Sequence, residues 1–255
     1  METLILVVLF GMAWGSFLNV VIYRLPRKLS LAHPPSACPA CKARIRPLDN
    51  IPILSYILLG GKCRSCGRPI PFRYVLVEVL TPALLAVLYL HNGLSPHFFA
   101  AALFTSALIA LAFIDLDLKL LPDLITYPIT ALGLAYAFFR EDLTIGGALL
   151  GAAVGAGFLL LVFGIYYLVR RKEGLGFGDI TMMVMVGVFL GWSKTLLTLI
   201  LASMAGAVIG IALIAVKKRN LQFALPFGTF LAPAAFVSLV WGDRIIGLYL
   251  GLFPR

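Results

Sequence analysis

The sequence predicts an all-α polytopic membrane protein of about eight transmembrane helices with one small four-cysteine loop. Hydrophobic residues make up 61% of its 255 residues, against roughly 45–50% in a soluble domain. Charged residues make up 13%, about half the usual share. Apolar runs recur from end to end, and about 20 apolar residues cross a bilayer. This composition excludes a soluble enzyme, a disordered protein and a fibre.

Read in chain order, the apolar runs predict eight membrane spans. They lie near residues 3–23, 75–90, 97–114, 124–139, 145–169, 180–192, 195–216 and 225–250. The sixth is the shortest, although Gly178 and Asp179 could lie within the membrane and lengthen it. The first could be a secretory signal, but Glu2 replaces the usual basic start and no cleavage site precedes Arg24. We therefore expect the first span to be retained.

The basic residues predict which side of the membrane each loop faces, because cytoplasmic loops carry an excess of Lys and Arg. With the N-terminus outside, 17 of the 21 basic residues face the cytoplasm, ten of them within residues 24–73. The opposite orientation would reverse this ratio, so we expect an inner-membrane protein with an external N-terminus. Topology also explains the net charge of +10. Because no nucleic-acid-binding motif accompanies the charge, we expect the bilayer as a partner and no nucleic acid.

The chain is expected to have three parts. Residues 1–23 form the first transmembrane helix, residues 24–74 form a cytoplasmic loop, and residues 75–255 form a seven-helix membrane core. The loop is the only sizeable segment outside the predicted spans. It is too short to build a large hydrophobic core without a covalent or metal link.

All four cysteines lie in this loop, as Cys38 with Cys41 and Cys63 with Cys66, and 21 residues separate the two pairs. Two C-x-x-C turns can direct four thiolates at one tetrahedral Zn²⁺ ion. Two disulfides or a redox pair are the alternative, but a basic cytoplasmic loop lies in a reducing compartment. We therefore favour a structural zinc site, since four thiolates leave no open position for substrate or water.

Acidic residues in apolar surroundings are the candidates for chemistry, because charge in lipid is costly and marks functional sites. Four of the eleven acidic residues lie in two turns on the predicted cytoplasmic side, namely Asp115, Asp117, Asp123 and Asp179. Asp115 ends a fully apolar run and has no adjacent base. Asp179 could cap the sixth helix, but three glycines around it, Gly174, Gly176 and Gly178, are more than a cap needs and allow close backbone approach. Asp115 and Asp179 therefore could meet at one membrane depth.

The other two aspartates have simpler explanations. Asp117 follows Asp115 by two residues, so on a continuous helix it faces elsewhere and is a solvated or supporting residue. Asp123 follows Pro122 and is predicted to be the N-cap of the next helix rather than a catalytic group. Asn19, inside the first span, needs a hydrogen-bond partner in lipid, and we expect that partner on another helix rather than on a substrate.

Seven stretches of the chain together form a recognisable pattern, namely residues 15–26, 38–41, 50–55, 61–66, 115–123, 172–179 and 226–228. Through them the chain resembles, over nearly its whole length, the type IV prepilin peptidases, a G-x-G-D family of membrane aspartic proteases. The resemblance implies that Asp115 and Asp179 are the catalytic pair, with Gly176-Phe-Gly-Asp179 as the family signature. It implies a prepilin or pseudopilin substrate whose basic leader is cut off at the cytoplasmic face. It also implies, in many members, methyl transfer from S-adenosylmethionine to the new N-terminus, a step associated with the cysteine loop.

The chain departs from the family's pattern at four positions. Asp49 stands where Glu is usual, and Val75 stands where Pro is common. Thr181 stands where Lys often follows the G-x-G-D motif, and Thr229 stands where Pro often follows Pro-Phe-Gly. No dinucleotide-type glycine loop is present, so the site of the methyl donor stays unassigned.

Two other classes of function stay open. An ion-coupled transporter could use the same intramembrane aspartates, and a non-catalytic pilus or secretion scaffold could dock partners through the cysteine loop.

Overall fold

A computed structural model describes residues 1–171, 176–217 and 225–252, and its regular structure is helical. The helices are α1 (Glu2–Arg24), α2 (Leu54–Leu58), α3 (Arg73–Asn92), α4 (Pro96–Leu118), α5 (Asp123–Ala137), α6 (Ile145–Arg170), α7 (Phe177–Lys217) and α8 (Gly228–Gly251). Two short 3-10 helices, Leu25–Arg27 and Pro47–Asn50, lie between α1 and α3. The predicted all-α membrane fold is confirmed.

The predicted count of eight spans is not confirmed, because six of the described helical stretches are long and apolar enough to cross a bilayer. One difference is α5, whose 15 residues extend about 22 Å at roughly 1.5 Å per residue, short of a hydrocarbon core about 30 Å thick. The other is that the predicted sixth and seventh spans lie in the single stretch α7. That stretch is broken at Gly191, where φ is 72° and ψ is 173°, a conformation that glycine adopts readily.

The chain divides into two compact units, Met1–Phe98 and Phe99–Arg255, and passes from one to the other within α4. In the first unit α1 packs closely along α3, since a Cβ built on Gly11 would lie 2.7 Å from Pro82 Cα. The division predicted from the sequence instead groups nearly all of α3 with the membrane core, residues 75–255. The three-part division of the chain stays a prediction.

In the second unit α6 and α7 meet at a pair of glycines. A Cβ built on Gly151 of α6 would overlap the carbonyl oxygen of Gly187 on α7, and a Cβ on Gly187 would overlap Gly151. One turn further along α6, a Cβ on Gly155 would lie 2.8 Å from Met183 O. Small residues that let helix backbones approach closely are a common basis of helix association in membranes. This contact therefore places the start of α7, which carries Asp179.

Replacing Gly151 with Ala is expected to destabilise the protein, because the added methyl group has no space and overpacking typically costs about 1–3 kcal/mol. Gly157→Ala is the matched control: it lies on the same helix, and nothing lies within 4 Å of its added Cβ. Thermal unfolding in detergent should show a lower Tm for Gly151→Ala and no decrease for Gly157→Ala. Equal Tm values for the two variants would contradict the close helix contact.

Helix α4 is the most buried of the candidate spans. In its most apolar window 67% of the residues are buried, against 22–44% in the others. In the second unit Phe104 of α4 stacks on Phe189 of α7, with ring centroids 4.5 Å apart. The last turn of this helix carries Asp115, so a buried helix holds that carboxyl group in place.

Candidate active site

Three helix ends of the second unit meet around Asp115 and Asp179. Asp115 lies in the last turn of α4, Asp179 lies in the first turn of α7, and Gly228 begins α8. Only 5% of the Asp115 surface and 7% of the Asp179 surface is exposed. Carboxylates removed from water are costly unless they are paired or hydrogen-bonded. Two of them at one place in an apolar protein indicate a functional site.

The start of α8 donates hydrogen bonds to Asp115 and lies beside both carboxyl groups. The Thr229 backbone N–H donates to Asp115 Oδ2 at 2.8 Å, and the Thr229 hydroxyl lies 3.2 Å from the same oxygen. The Gly228 backbone lies beside both carboxyl groups, and Asp115 and Asp179 are close enough to each other for their charges to interact. A Cβ on Gly228 would lie 3.0 Å from Asp115 Oδ2. The structure therefore brings together the two aspartates that the sequence singled out.

The glycines before Asp179 allow the chain to approach its neighbours closely. A Cβ on Gly178 would lie 2.8 Å from Leu121 Cβ, and a Cβ on Gly176 would lie 3.3 Å from Asp179 Oδ2. The Gly176 backbone also hydrogen-bonds to Asp179. Leu121 also packs on Gly228, so the segment after α4 lies between the starts of α7 and α8. The third glycine of the motif, Gly174, lies outside the described residues.

Asp117 and Asp123 are exposed, in contrast to the buried pair. The prediction that Asp123 is an N-cap is wrong by one residue. Helix α5 begins at Asp123, its N-cap is Pro122 with φ −66° and ψ 126°, and no side-chain capping bond forms. Proline accepts this extended conformation readily, which moves Asp123 into the first turn, where a negative charge interacts favourably with the helix dipole.

The sequence did not predict the contact between Thr229 and Asp115, because Thr229 stood out only as a threonine where proline is common. A proline at this position has neither a backbone N–H nor a hydroxyl. Both of the Thr229 hydrogen bonds to Asp115 therefore depend on the departure. The only signal in the sequence is a hydroxyl-bearing residue directly after Pro-Phe-Gly.

The four cysteines converge in the first unit. Their sulfur atoms all lie within 4.8 Å of one another, and Cys38 Sγ is 3.9 Å from Cys66 Sγ. Four Zn–S bonds of about 2.3 Å in tetrahedral geometry place the sulfurs about 3.8 Å apart. The donor set therefore fits a tetrahedral ion. All four cysteines are free thiols, so the structure does not contain the two disulfides that were the alternative.

The two cysteine pairs lie on turns with the same backbone pattern. In each turn the N–H of the first cysteine bonds to the carbonyl five residues later, and the N–H four residues later bonds back to the cysteine carbonyl. That fourth residue has positive φ in both turns, 60° at Lys42 and 68° at Gly67. The Cys41 N–H donates to the Cys38 sulfur and helps to lower the pKa of that thiol to about 6. This favours the thiolate, the form that binds metal.

An ion pair connects the second cysteine turn to the 3-10 helix before it. Arg64 Nε lies 2.8 Å from Asp49 Oδ2, and Arg64 Nη2 lies 2.6 Å from Asp49 Oδ1. Hydrogen bonding to the guanidinium holds the pKa of Asp49 below its usual range. Asp49, which stands where the resemblance implies Glu, thus makes a two-pronged contact in this loop.

Comparisons with known proteins agree with this division of the chain. The Bacterial Peptidase A24 N-terminal domain matches residues 9–92, and the Type IV leader peptidase family matches residues 102–211. The chain is 38% identical to a prepilin leader peptidase/N-methyltransferase of Pseudomonas aeruginosa, over 95% of this chain and 92% of the relative. It is 40% identical to one of Aeromonas hydrophila, over 97% and 94% of the two chains. No solved structure matches significantly.

Proposed function

The chain belongs to the family of the prepilin leader peptidase/N-methyltransferases, and from this premise we propose that it cleaves prepilin leaders with Asp115 and Asp179. We also propose that it methylates the new N-terminus of pilins and prepilin-like proteins. The observation that carries the proposal is the burial of two carboxyl groups, from different helices, around the backbone of Gly228. The relatives' names supply the two reaction classes, and they do not support a transporter or a non-catalytic scaffold.

Peptide hydrolysis by such a pair needs one ionised and one protonated carboxyl group. The ionised group takes a proton from water, and the water oxygen attacks the scissile carbonyl carbon while the protonated group donates to the carbonyl oxygen. The C–N bond then breaks and the leaving amine takes a proton. Two acids at short range share one proton because like charges there cannot both ionise. The shared proton belongs to the pair rather than to either residue.

We propose the first unit as the site of methyl transfer, since the N-terminal-domain family matches residues 9–92. The new terminal amine, as its free base, attacks the methyl carbon of S-adenosylmethionine. The C–S bond breaks with its electron pair going to sulfur, which leaves S-adenosylhomocysteine, and the proton lost by the amine goes to solvent. The four cysteines would bind a structural Zn²⁺, because four thiolates leave no open coordination position.

We propose that the protein lies in the inner membrane with its N-terminus outside and with the cysteine loop and acid pair at the cytoplasmic face. The excess of Lys and Arg in the loops on that side supports this orientation. Asp115 and Asp179 lie at helix ends rather than at helix centres, and Lys119 follows directly after α4. This position suits a substrate with a basic leader in the cytoplasm and an apolar helix in the membrane.

The test is a reaction of the purified full-length protein in detergent with a prepilin and S-adenosylmethionine. Mass spectrometry follows the loss of the leader and the gain of a methyl group as separate products. Both products are expected. Absence of leader loss would contradict the peptidase proposal, and leader loss without a methyl gain would contradict the methyltransferase proposal alone.

Thr229→Val is expected to slow cleavage, because it removes the hydroxyl near Asp115 while it keeps the side-chain shape and the backbone N–H. A hydrogen bond to a charged group contributes about 1.5–3 kcal/mol, so we expect kcat to fall about 10-fold or more, with KM little changed. Thr229→Ser should restore most of the rate. Kinetics with a fixed prepilin measure both constants.

Thr198→Val is the matched control for loss of a buried threonine hydroxyl. Thr198 is fully buried on α7, and its hydroxyl donates to the carbonyl of Lys194. This variant should keep the wild-type kcat. A Thr229→Val variant as fast as wild type, or a Thr229→Ser variant as slow as Thr229→Val, would contradict a positioning role for the hydroxyl.

A further inference from the structure

The first unit contains a cavity of about 1220 Å³ that peptide hydrolysis by the acid pair does not use. Its walls come from α1, from the cysteine loop and from the start of α3. The polar and aromatic residues that line it include Ser16, Asn19, Tyr23, Tyr56, Tyr74 and Glu78. Pockets of about 300–1,000 Å³ bind drug-sized ligands, so the cavity has room for a nucleoside-sized molecule.

Asn19 presents a buried acceptor at the wall of this cavity. Only 4% of its surface is exposed, and its Nδ2 donates to Tyr74 O at 2.9 Å, which confirms the predicted interhelical hydrogen bond. Its Oδ1 is buried without a hydrogen-bond partner among the described residues. Buried polar atoms are normally hydrogen-bonded. This oxygen is therefore placed to accept a hydrogen bond from a bound molecule.

Glu78 adds a negative charge to the same cavity. It lies on the apolar helix α3, where its Oε2 accepts the N–H of Ile53 at 2.8 Å, and Ser16 hydrogen-bonds to it through its side chain. Both of these donors are neutral. Two of the basic residues that line the cavity are engaged, since Arg24 donates to loop carbonyls and Arg64 pairs with Asp49. Lys42, Arg44, Arg46 and Arg68 line the cavity as well, but the donors bonded to Glu78 itself are neutral. A carboxylate among neutral donors favours a cationic ligand.

We propose that this cavity is the binding site for S-adenosylmethionine, with Glu78 facing the cationic ammonium and sulfonium groups and Asn19 Oδ1 accepting a hydrogen bond from the donor. Tyr23, Tyr56 and Tyr74 also line the cavity, and aromatic rings interact favourably with cations. The first cysteines of the two turns, Cys38 and Cys63, also line the cavity. The proposal rests on the methyltransferase function proposed above and assigns its methyl-donor site.

The test measures binding by the full-length protein without any peptide. Calorimetric titrations compare S-adenosylmethionine with S-adenosylhomocysteine, whose sulfur is neutral. Glu78→Gln removes the charge but keeps the size and an oxygen that accepts the Ile53 N–H. We expect it to weaken S-adenosylmethionine binding about 10-fold or more, to weaken S-adenosylhomocysteine binding less, and to leave prepilin cleavage unchanged. Glu2→Gln, an exposed acid of the same unit, should bind both compounds as wild type does.

A second measurement does not depend on the folding of the variant. Irradiation of the wild-type protein with radiolabelled S-adenosylmethionine, followed by peptide mapping, should place the label within residues 13–78. Wild-type binding that Glu78→Gln leaves intact, or label found only in the second unit, would overturn the site while the methyltransferase proposal stands. A wild-type protein that neither binds the donor nor methylates would overturn both.

Discussion

Asp115→Asn and Asp179→Asn are each expected to reduce prepilin cleavage by about 10²–10⁴-fold, the usual contribution of acid–base catalysis. Asparagine keeps the size of the side chain, but it cannot exchange a proton, so neither variant can complete the pair. Quantified leader release from a prepilin in detergent, at several enzyme concentrations, measures the loss. Methylation of a synthetic peptide with a mature pilin N-terminus should continue in both variants.

Asp243→Asn is the control for the loss of an acidic residue elsewhere in the second unit. Asp243 lies on α8 with 86% of its side chain exposed, and it pairs with Lys194 at 2.6 Å. An exposed ion pair contributes at most about 1 kcal/mol, so this variant should cleave at the wild-type rate. Near-normal cleavage by either Asp115→Asn or Asp179→Asn would rule out hydrolysis by the pair.

The acid pair could be predicted from the sequence because an aspartate is conspicuous in an apolar chain. The groups that position the pair could not be predicted from the sequence. Gly228 and Thr229 are separated from Asp115 by more than 110 residues, and neither residue type is unusual in a membrane helix. What makes Thr229 important is a backbone N–H, which every residue except proline carries. Such donors become evident only when the fold places them.

The span count shows a similar limit. Helix α5 ends at Ala137, but the apolar residues Phe138 and Phe139 follow it, so hydropathy predicts a longer span than the backbone forms. At Gly191 the chain turns because that glycine takes a positive φ, and this break lies beside the boundary predicted between residues 180–192 and 195–216. Apolarity predicts which segments lie in lipid, whereas helix ends depend on backbone conformation.

The cysteine loop shows where a spacing rule is sufficient and where it is not. Two C-x-x-C pairs predict four converging thiolates whatever the intervening chain does, because each turn is local. No comparable spacing rule predicts that Asp49 pairs with Arg64, which lies 15 residues further along the chain. The closeness of Asn19 and Glu78 in one cavity also depends on how α1 packs on α3, which hydropathy does not specify.

Loss of the proposed zinc ion is expected to have the largest effect on the first unit. Between residues 25 and 74, all of which the structure describes, the only buried residues are Cys38 and Ser55. The loop therefore has almost no hydrophobic core of its own. Structural zinc contributes about 10–16 kcal/mol to the folding of small zinc domains, far more than this segment gains from burial.

We therefore expect Cys38→Ser, or treatment with a strong chelator, to unfold the loop and abolish methyl transfer while leader cleavage continues. Elemental analysis should find one zinc per wild-type chain and much less in the variant, and limited proteolysis should cut the loop more quickly. Leu58→Ala, an exposed change in the same loop at a residue that does not line the cavity, should retain both metal and methyl transfer. Because Cys38 lines the proposed methyl-donor cavity, full methyl transfer by metal-free protein would contradict both the structural role of zinc and the placement of the donor beside this loop.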